Sequence, residues 1–220
     1  MKIIHFQPAI RKPATGNNLL FHKSYFCQNT DLIMDIASNL YGLVLSGGKS
    51  SRMGMDKGLI SYHGKPQREH LFDLLSRCCA RVFTSCNAEQ QVPENLNPIV
   101  DQFDLQSPLN GILTAFKKFP DKAWLTVAVD MPYVDDHVLN TLIAHRDSNK
   151  VATCFYNASE KLPDPLLTIW EPAAYPLLLK FTEQGRISPR DFLSTHHAHM
   201  IHPPNDKTLL NINTPGDIPL

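Results

Sequence analysis

At 220 residues, 43% of them hydrophobic and 19% charged, the chain has the make-up of a globular α/β domain and not of a disordered or fibrous protein. Its 21 Lys+Arg balance 21 Asp+Glu, so no overall basic field recommends nucleic acid as the main partner. Five cysteines (Cys27, Cys78, Cys79, Cys86 and Cys154), an odd number without C-x-x-C spacing, argue against a disulfide framework and a zinc site. They favour a reducing compartment. No apolar run reaches the ~18 residues of a membrane span. His5, Gln7, Arg11 and Lys12 interrupt any secretory core, so the expected location is the cytosol.

Residues 1–40 carry no sustained period and no motif, and Arg11–Asn18 is polar around Pro13 and Gly16. They are expected to be either a flexible extension or sequence upstream of a start at Met34, in both cases dispensable to a domain at 41–220. Tyr41–Leu45 is a short apolar run of strand formers, broken by Ser46-Gly47-Gly48. Gly64-Lys65-Pro66 then leads into a helix over Gln67–Cys79, where Leu71, Leu74, Leu75 and Cys78 recur at helical spacing. Cys78 and Cys79 read as helix and core residues, not as a redox pair.

Arg81–Cys86 and Pro98–Val100 are the next strands, the latter ending in Asp101. Ser107-Pro108 suits a helix start, followed by a stripe of Leu109, Ile112, Leu113 and Phe116. Trp124–Val129 is almost unbroken apolar sequence, as a central strand buried on both faces requires, and it runs into Asp130-Met131-Pro132. Asp135 caps a helix with Val138, Leu139, Leu142 and Ile143. Strands at Val151–Tyr156 and Leu166–Trp170 follow, then helices at Tyr175–Phe181 and from Ser188. His199–His202 and Thr208–Ile212 are the last strand candidates. The alternation predicts a three-layer α/β fold, a mostly parallel sheet with helices on both faces.

In such sheets ligands bind outside the carboxyl ends of the strands. Ser46-Gly47-Gly48, Asp101 and Asp130 all lie at such ends. Paired glycines leave amides uncovered, and Lys49, Arg52 and Lys57 follow at loop spacing. Two readings fit: an anion site, above all for a phosphate chain, or a glycine-rich turn with solvated charges. Asp130 reads as a Mg²⁺ ligand beside phosphates, or as a turn or cap residue before Pro132. Asp101 is a nucleotide contact or a plain loop carboxylate. A Walker A loop is excluded because its first glycine would fall at Leu43, and G-x-G-x-x-G is absent because Gly47 and Gly48 are adjacent.

The pattern L-x-G-G-x-S-x-R-M-G-x-D-K is matched by Leu45, Gly47, Gly48, Ser50, Arg52, Met53, Gly54, Asp56 and Lys57. It resembles the signature of the MobA-like nucleotidyltransferases, in particular the molybdenum cofactor guanylyltransferases. Gly64-Lys65-Pro66, Asp101 ahead of Pro108-Leu109-Asn110-Gly111, Asp130-Met131-Pro132, and Asn211-Ile212-Asn213-Thr214-Pro215 follow in that family's order over residues 41–217.

The resemblance implies a Rossmann-like nucleotidyltransferase fold and Mg²⁺-dependent transfer of GMP from GTP to molybdopterin. It further implies that Arg52 and Lys57 neutralise the triphosphate, and that Asp130 is the metal ligand and a catalytic residue. Leu45, Ser46, Gly47, Gly48, Ser85 and Asp101 would line the nucleotide site, with Asn211, Asn213 and Arg186 towards the acceptor. Transient contact with molybdoenzyme maturation proteins also follows from it.

Departures are Ser85, where the guanylyltransferases place Asn (Asn87 stands two residues on), and an end at Leu220 soon after the N-x-N-T-P motif. The L-x-G-G form, unlike L-A-A-G, leans towards GTP over CTP. Rival readings are another nucleotide or a phosphorylated sugar or alcohol acceptor, and a non-catalytic nucleotide-binding regulator. His196, His197, His199 and His202 form a histidine-rich tract that the resemblance does not use. Alternation along a strand would place His197 and His199 on one face and His202 on the other.

Overall fold

The computed structural model describes residues 39–47, 56–205 and 207–212. Gly48, Lys49, Arg52 and Asn213, with nearly all of the expected N-terminal extension, lie outside them. In chain order the elements are β1 (Leu40–Leu45), α1 (Gln67–Ser76), β2 (Arg81–Cys86), β3 (Pro98–Val100), α2 (Leu109–Lys118) and β4 (Ala123–Ala128). Next come α3 (Asp136–Ala144), β5 (Ala152–Asn157), β6 (Leu162–Trp170), α4 (Ala174–Glu183), α5 (Pro189–Thr195) and β7 (His199–Ile201).

The strands form one seven-stranded sheet in the order β3-β2-β1-β4-β6-β5-β7. β1 pairs in parallel with both β2 and β4, and β2 with β3, while β6 runs antiparallel to β4 and to β5. The sheet is therefore mixed, mostly parallel, with one reversed strand. Every residue of β4 is buried, which a sheet allows only when both faces are covered. Helices provide that cover, and connections between parallel strands are right-handed as a rule. The connection from β1 to β2 moves one way along the sheet and that from β3 to β4 the other, so α1 and α2 take opposite faces. Phe116 of α2 stacks on Tyr175 of α4, Phe181 of α4 packs against Phe192 of α5, and Arg77 after α1 pairs with Asp136 of α3.

The cap expected at Asp135 is present, whereas α2 has Pro108 and not Ser107 at its cap position. Asp135 accepts a hydrogen bond from the Val138 amide, and Ser188 accepts one from the Asp191 amide. Three expectations need correction. Thr208–Ile212 is not a strand: Leu210 N–H donates to the Lys207 carbonyl in a turn, and the chain then leaves the sheet pattern. β6 begins at Leu162, ahead of Leu166, passing through Pro163 and Pro165. Prolines are tolerated because pairing with β4 is confined to Thr168–Trp170, and the Asp164 carboxylate accepts from the Leu166 and Leu167 amides. Finally, His197 lies at φ 51 in a turn before β7, so His197 and His199 do not share a strand face. Among the described residues no cluster of three His, Cys, Asp or Glu side chains is placed to hold a metal.

Candidate active site

Four parallel strands deliver their carboxyl ends to one edge of the sheet. Ser46 N–H donates to the Ser85 carbonyl, Asp101 N–H to the Cys86 carbonyl, and Val129 N–H to the Leu45 carbonyl. These bonds tie the ends of β1, β2, β3 and β4 together. A cleft of about 630 Å³ opens there, within the range of small-molecule sites. Leu45, Ser46, Gly47, Lys57, Ser85, Asp101 and Asp130 all line it. Residues more than eighty positions apart thus meet at one place.

The Gly47 side of the cleft is built on close approach. A Cβ at Gly47 would lie 2.7 Å from Asp101 Oδ2, so only glycine lets the main chain pass over this carboxylate. Ser85 Oγ donates to Asp101 Oδ1 at 2.7 Å. Burial pushes the Asp101 carboxyl above its ordinary pKa, and the Ser85 hydroxyl opposes part of that rise. Ser85 itself packs on the first turn of α2, where a Cβ at Gly111 would fall 2.2 Å from its hydroxyl oxygen. Ser85 is thereby occupied in orienting Asp101.

Across the cleft, Lys57 Nζ stands 3.6 Å from Asp130 Oδ2 and donates to the Ile212 carbonyl at 3.2 Å. Ile212 N–H in turn donates to the Asp130 carbonyl at 2.8 Å. The segment that failed to form a strand therefore braces the Lys57–Asp130 pair through its backbone. Desolvation raises the Asp130 pKa, and the Lys57 charge counteracts it. Among the described residues Asp130 Oδ1 is buried with no hydrogen-bond partner. A carboxylate oxygen left in that state suits a hard cation, which takes oxygen ligands from one or two carboxylates and a phosphate chain.

Several positioning contacts carried no motif. His63 Nε2 donates to the Pro132 carbonyl at 2.9 Å and Gln67 Nε2 to the Met131 carbonyl at 3.4 Å, fixing the turn after Asp130. Asn110 Oδ1 accepts from the Phe103 amide, and its Nδ2 donates to the Phe103 and Leu105 carbonyls, docking the loop after Asp101 onto α2. Asn110 sits within Pro108-Leu109-Asn110-Gly111, so the motif marked the place without revealing the job.

Arg186 is not among the residues lining the cleft. Its guanidinium pairs with Asp191, donates to Thr195 Oγ1 and lies 4.1 Å from the Phe181 ring centroid. Asn211 adjoins the bracing Ile212, with Oδ1 buried and without a hydrogen-bond partner among the described residues.

The sequence profile of the MobA-like NTP transferase domain matches residues 42–200. A molybdenum cofactor biosynthesis bifunctional protein of Synechocystis sp. is 40% identical over 181 residues, 81% of this chain. The chain spans about half of that relative, 52% of its length. A probable molybdenum cofactor guanylyltransferase of Carboxydothermus hydrogenoformans is 30% identical over 187 residues, 81% of this chain and 93% of the relative. The solved molybdopterin-guanine dinucleotide biosynthesis protein A of Archaeoglobus fulgidus superposes with a TM-score of 0.64 at 23% identity, over 81% of this chain and 94% of that one. That last likeness is one of fold. With its profile matched over most of the length and the strand order placing the motif residues on one edge, the chain belongs to the MobA-like NTP transferase family.

Proposed function

We propose that this domain transfers GMP from GTP to the terminal phosphate of molybdopterin, releasing pyrophosphate. The observation that carries the reading is the cleft in which Lys57 and Asp130 face the Gly47–Asp101 wall. Guanylyl transfer and a molybdenum cofactor acceptor are supported by the name of one relative, a probable molybdenum cofactor guanylyltransferase. In the reaction a terminal phosphate oxygen of the acceptor bonds to the α-phosphorus, the α–β anhydride bond breaks, and pyrophosphate leaves. The acceptor oxygen is already anionic, so no general base is needed, and catalysis is positioning and charge neutralisation.

Lys57, with Arg52 from the signature, neutralises the triphosphate. Leu45, Ser46, Gly47 and Gly48 seat the nucleotide, Asp101 contacts it with Ser85 behind, and Asn211 and Asn213 face the acceptor. Asp130 would hold Mg²⁺, which would supply positive charge for the phosphate oxygens as charge builds in the transition state. The reading is tested by giving purified protein Mg²⁺, molybdopterin and each nucleoside triphosphate in turn. GTP is expected to release pyrophosphate fastest; faster release with CTP would overturn the guanylyl assignment.

Residues 41–220, together with Leu40 as the buried first residue of β1, are proposed as the working domain, with the residues before them an extension. A chain starting at Met34 is expected to fold and turn over like the full chain, measured by melting temperature and pyrophosphate release. Aggregation or loss of most activity would place the extension inside the domain. A cytosolic setting is supported by the free thiols of Cys78, Cys79, Cys86 and Cys154. No helix among the described residues is long and apolar enough to cross a membrane.

A further inference from the structure

Helix α1 buries Gln67, Arg68, Leu71, Leu74 and Leu75. Arg68 occupies the same stripe as Leu71 and Leu75, yet it carries a charge and is 1% exposed. Packing alone does not call for it: an apolar side chain of similar volume commonly serves as well as a buried ion pair, or better. What Arg68 adds is a set of connections. Nη2 pairs with Asp56 Oδ2, and Nη1 donates to the Gln91 carbonyl at 3.2 Å. Asp56 Oδ1 accepts from Gly58 N–H at 2.9 Å, which starts the helical turn Lys57–Leu59.

Gln90 Nε2 completes the set. It donates to the Ser46 carbonyl at 2.8 Å and to Asp56 Oδ2 at 3.2 Å. The buried guanidinium therefore joins the turn that bears Lys57 to the loop after β2, and Gln90 in that loop reaches on to the end of β1. The fit is close: a Cβ at Gly58 would lie 2.5 Å from Arg68 Nε and 2.7 Å from Nη2, so the guanidinium lies against bare main chain beside Lys57.

We infer that Arg68 is a positioning residue for the transfer reaction, acting through Asp56 and Gln90 to set Lys57 opposite Asp130 and to fix the Ser46 end of β1. The inference rests on the proposed reading of the cleft. Arg68 is not among the residues lining the cleft, so its effect reaches the reaction through Lys57 and Ser46. A merely structural arginine would lower stability equally in any background and leave the kinetic constants of the folded fraction alone.

The test is a double-mutant cycle on the full chain. In folded Arg68→Met, turnover with the best nucleotide is expected to fall about tenfold and KM for that nucleotide to rise several-fold. In a Lys57→Ala background the fall in turnover from the same substitution should shrink to less than about twofold, because the cation it positions is gone, while the rise in KM that acts through Ser46 remains. Equal losses in both backgrounds, or a lowered melting temperature with unchanged kcat and KM, would overturn the inference. If Arg68→Met does not fold, Gln90→Leu, which cuts the link to Ser46 from a loop, carries the same comparison. Amide hydrogen exchange separates this from a failure of the guanylyl reading. Gly58 N–H should exchange at least about tenfold faster in either variant while the β1 amides hold, whatever the substrate. Unchanged exchange at Gly58 would overturn it.

Discussion

Asp130→Asn is expected to abolish turnover by several orders of magnitude while leaving the fold intact. The substitution keeps shape and removes the negative charge that a hard cation requires. In the native cleft Asp130 Oδ1 is buried without a hydrogen-bond partner among the described residues, and Oδ2 lies 3.6 Å from Lys57 Nζ. Because the charge is needed most as the transition state forms, kcat should fall more than KM rises. Excess chelator should likewise silence the wild type, with Mn²⁺ restoring part of the activity.

Stability should move the other way. Burial raises the Asp130 pKa in the folded protein, so the folded state binds this proton more tightly than the unfolded one. The group's contribution is thus greatest below the ordinary carboxylate pKa of ~3.9 and is lost as pH climbs through the raised value. At pH 7 the ionised carboxylate costs stability that Asn does not. The melting temperature of the ligand-free variant should hold or rise. Near-normal kcat in Asp130→Asn, or wild-type turnover in excess chelator, would remove Asp130 from the active site.

The sheet was legible because its strands announce themselves chemically. Trp124–Val129 is apolar on both faces and became the central β4, where every residue is buried. Asp135 was readable as a cap because a short oxygen acceptor ahead of an apolar stripe has few other uses. Thr208–Ile212 misled for the same local reason. Its apolar content suits a strand, but its decisive partners are the Asp130 main chain and the Lys57 side chain, 82 and 155 positions away. Local pattern holds no trace of such contacts. The proline-bearing start of β6 was hidden likewise, since only the tertiary pairing shows that this stretch lacks a ladder partner on the β4 side.

The candidate site was readable where motif residues end strands: Gly47, Asp101 and Asp130 converge because parallel strands share one carboxyl edge. Arg186 converged elsewhere, since Asp191 on α5 offers its guanidinium a nearer partner. Arg68 left a signal that went unread, a charge at helical spacing in line with Leu71 and Leu75. A buried cation on an apolar stripe demands partners, and here those partners lie under the turn that carries Lys57.

Lys57→Ala is expected to lower turnover at least about tenfold, because a cation facing phosphates in a partly dry cleft is worth more than an exposed ion pair. The melting temperature without nucleotide should hardly move, since strand ends and the Ile212-to-Asp130 backbone bond remain. A second effect sets this variant apart from a simple loss of phosphate contact. Lys57 holds the Asp130 pKa down against the rise that burial imposes. Without that charge the carboxyl takes up its proton at higher pH, and only the ionised form suits the cation. The acid limb of the residual pH–rate profile should therefore shift to higher pH than in the wild type, so raising the pH recovers part of the lost rate. Arg in place of Lys57 keeps the charge and should restore the position of that limb. An unmoved acid limb, or a large loss of stability with normal turnover, would show that Lys57 supports the fold and not the reaction.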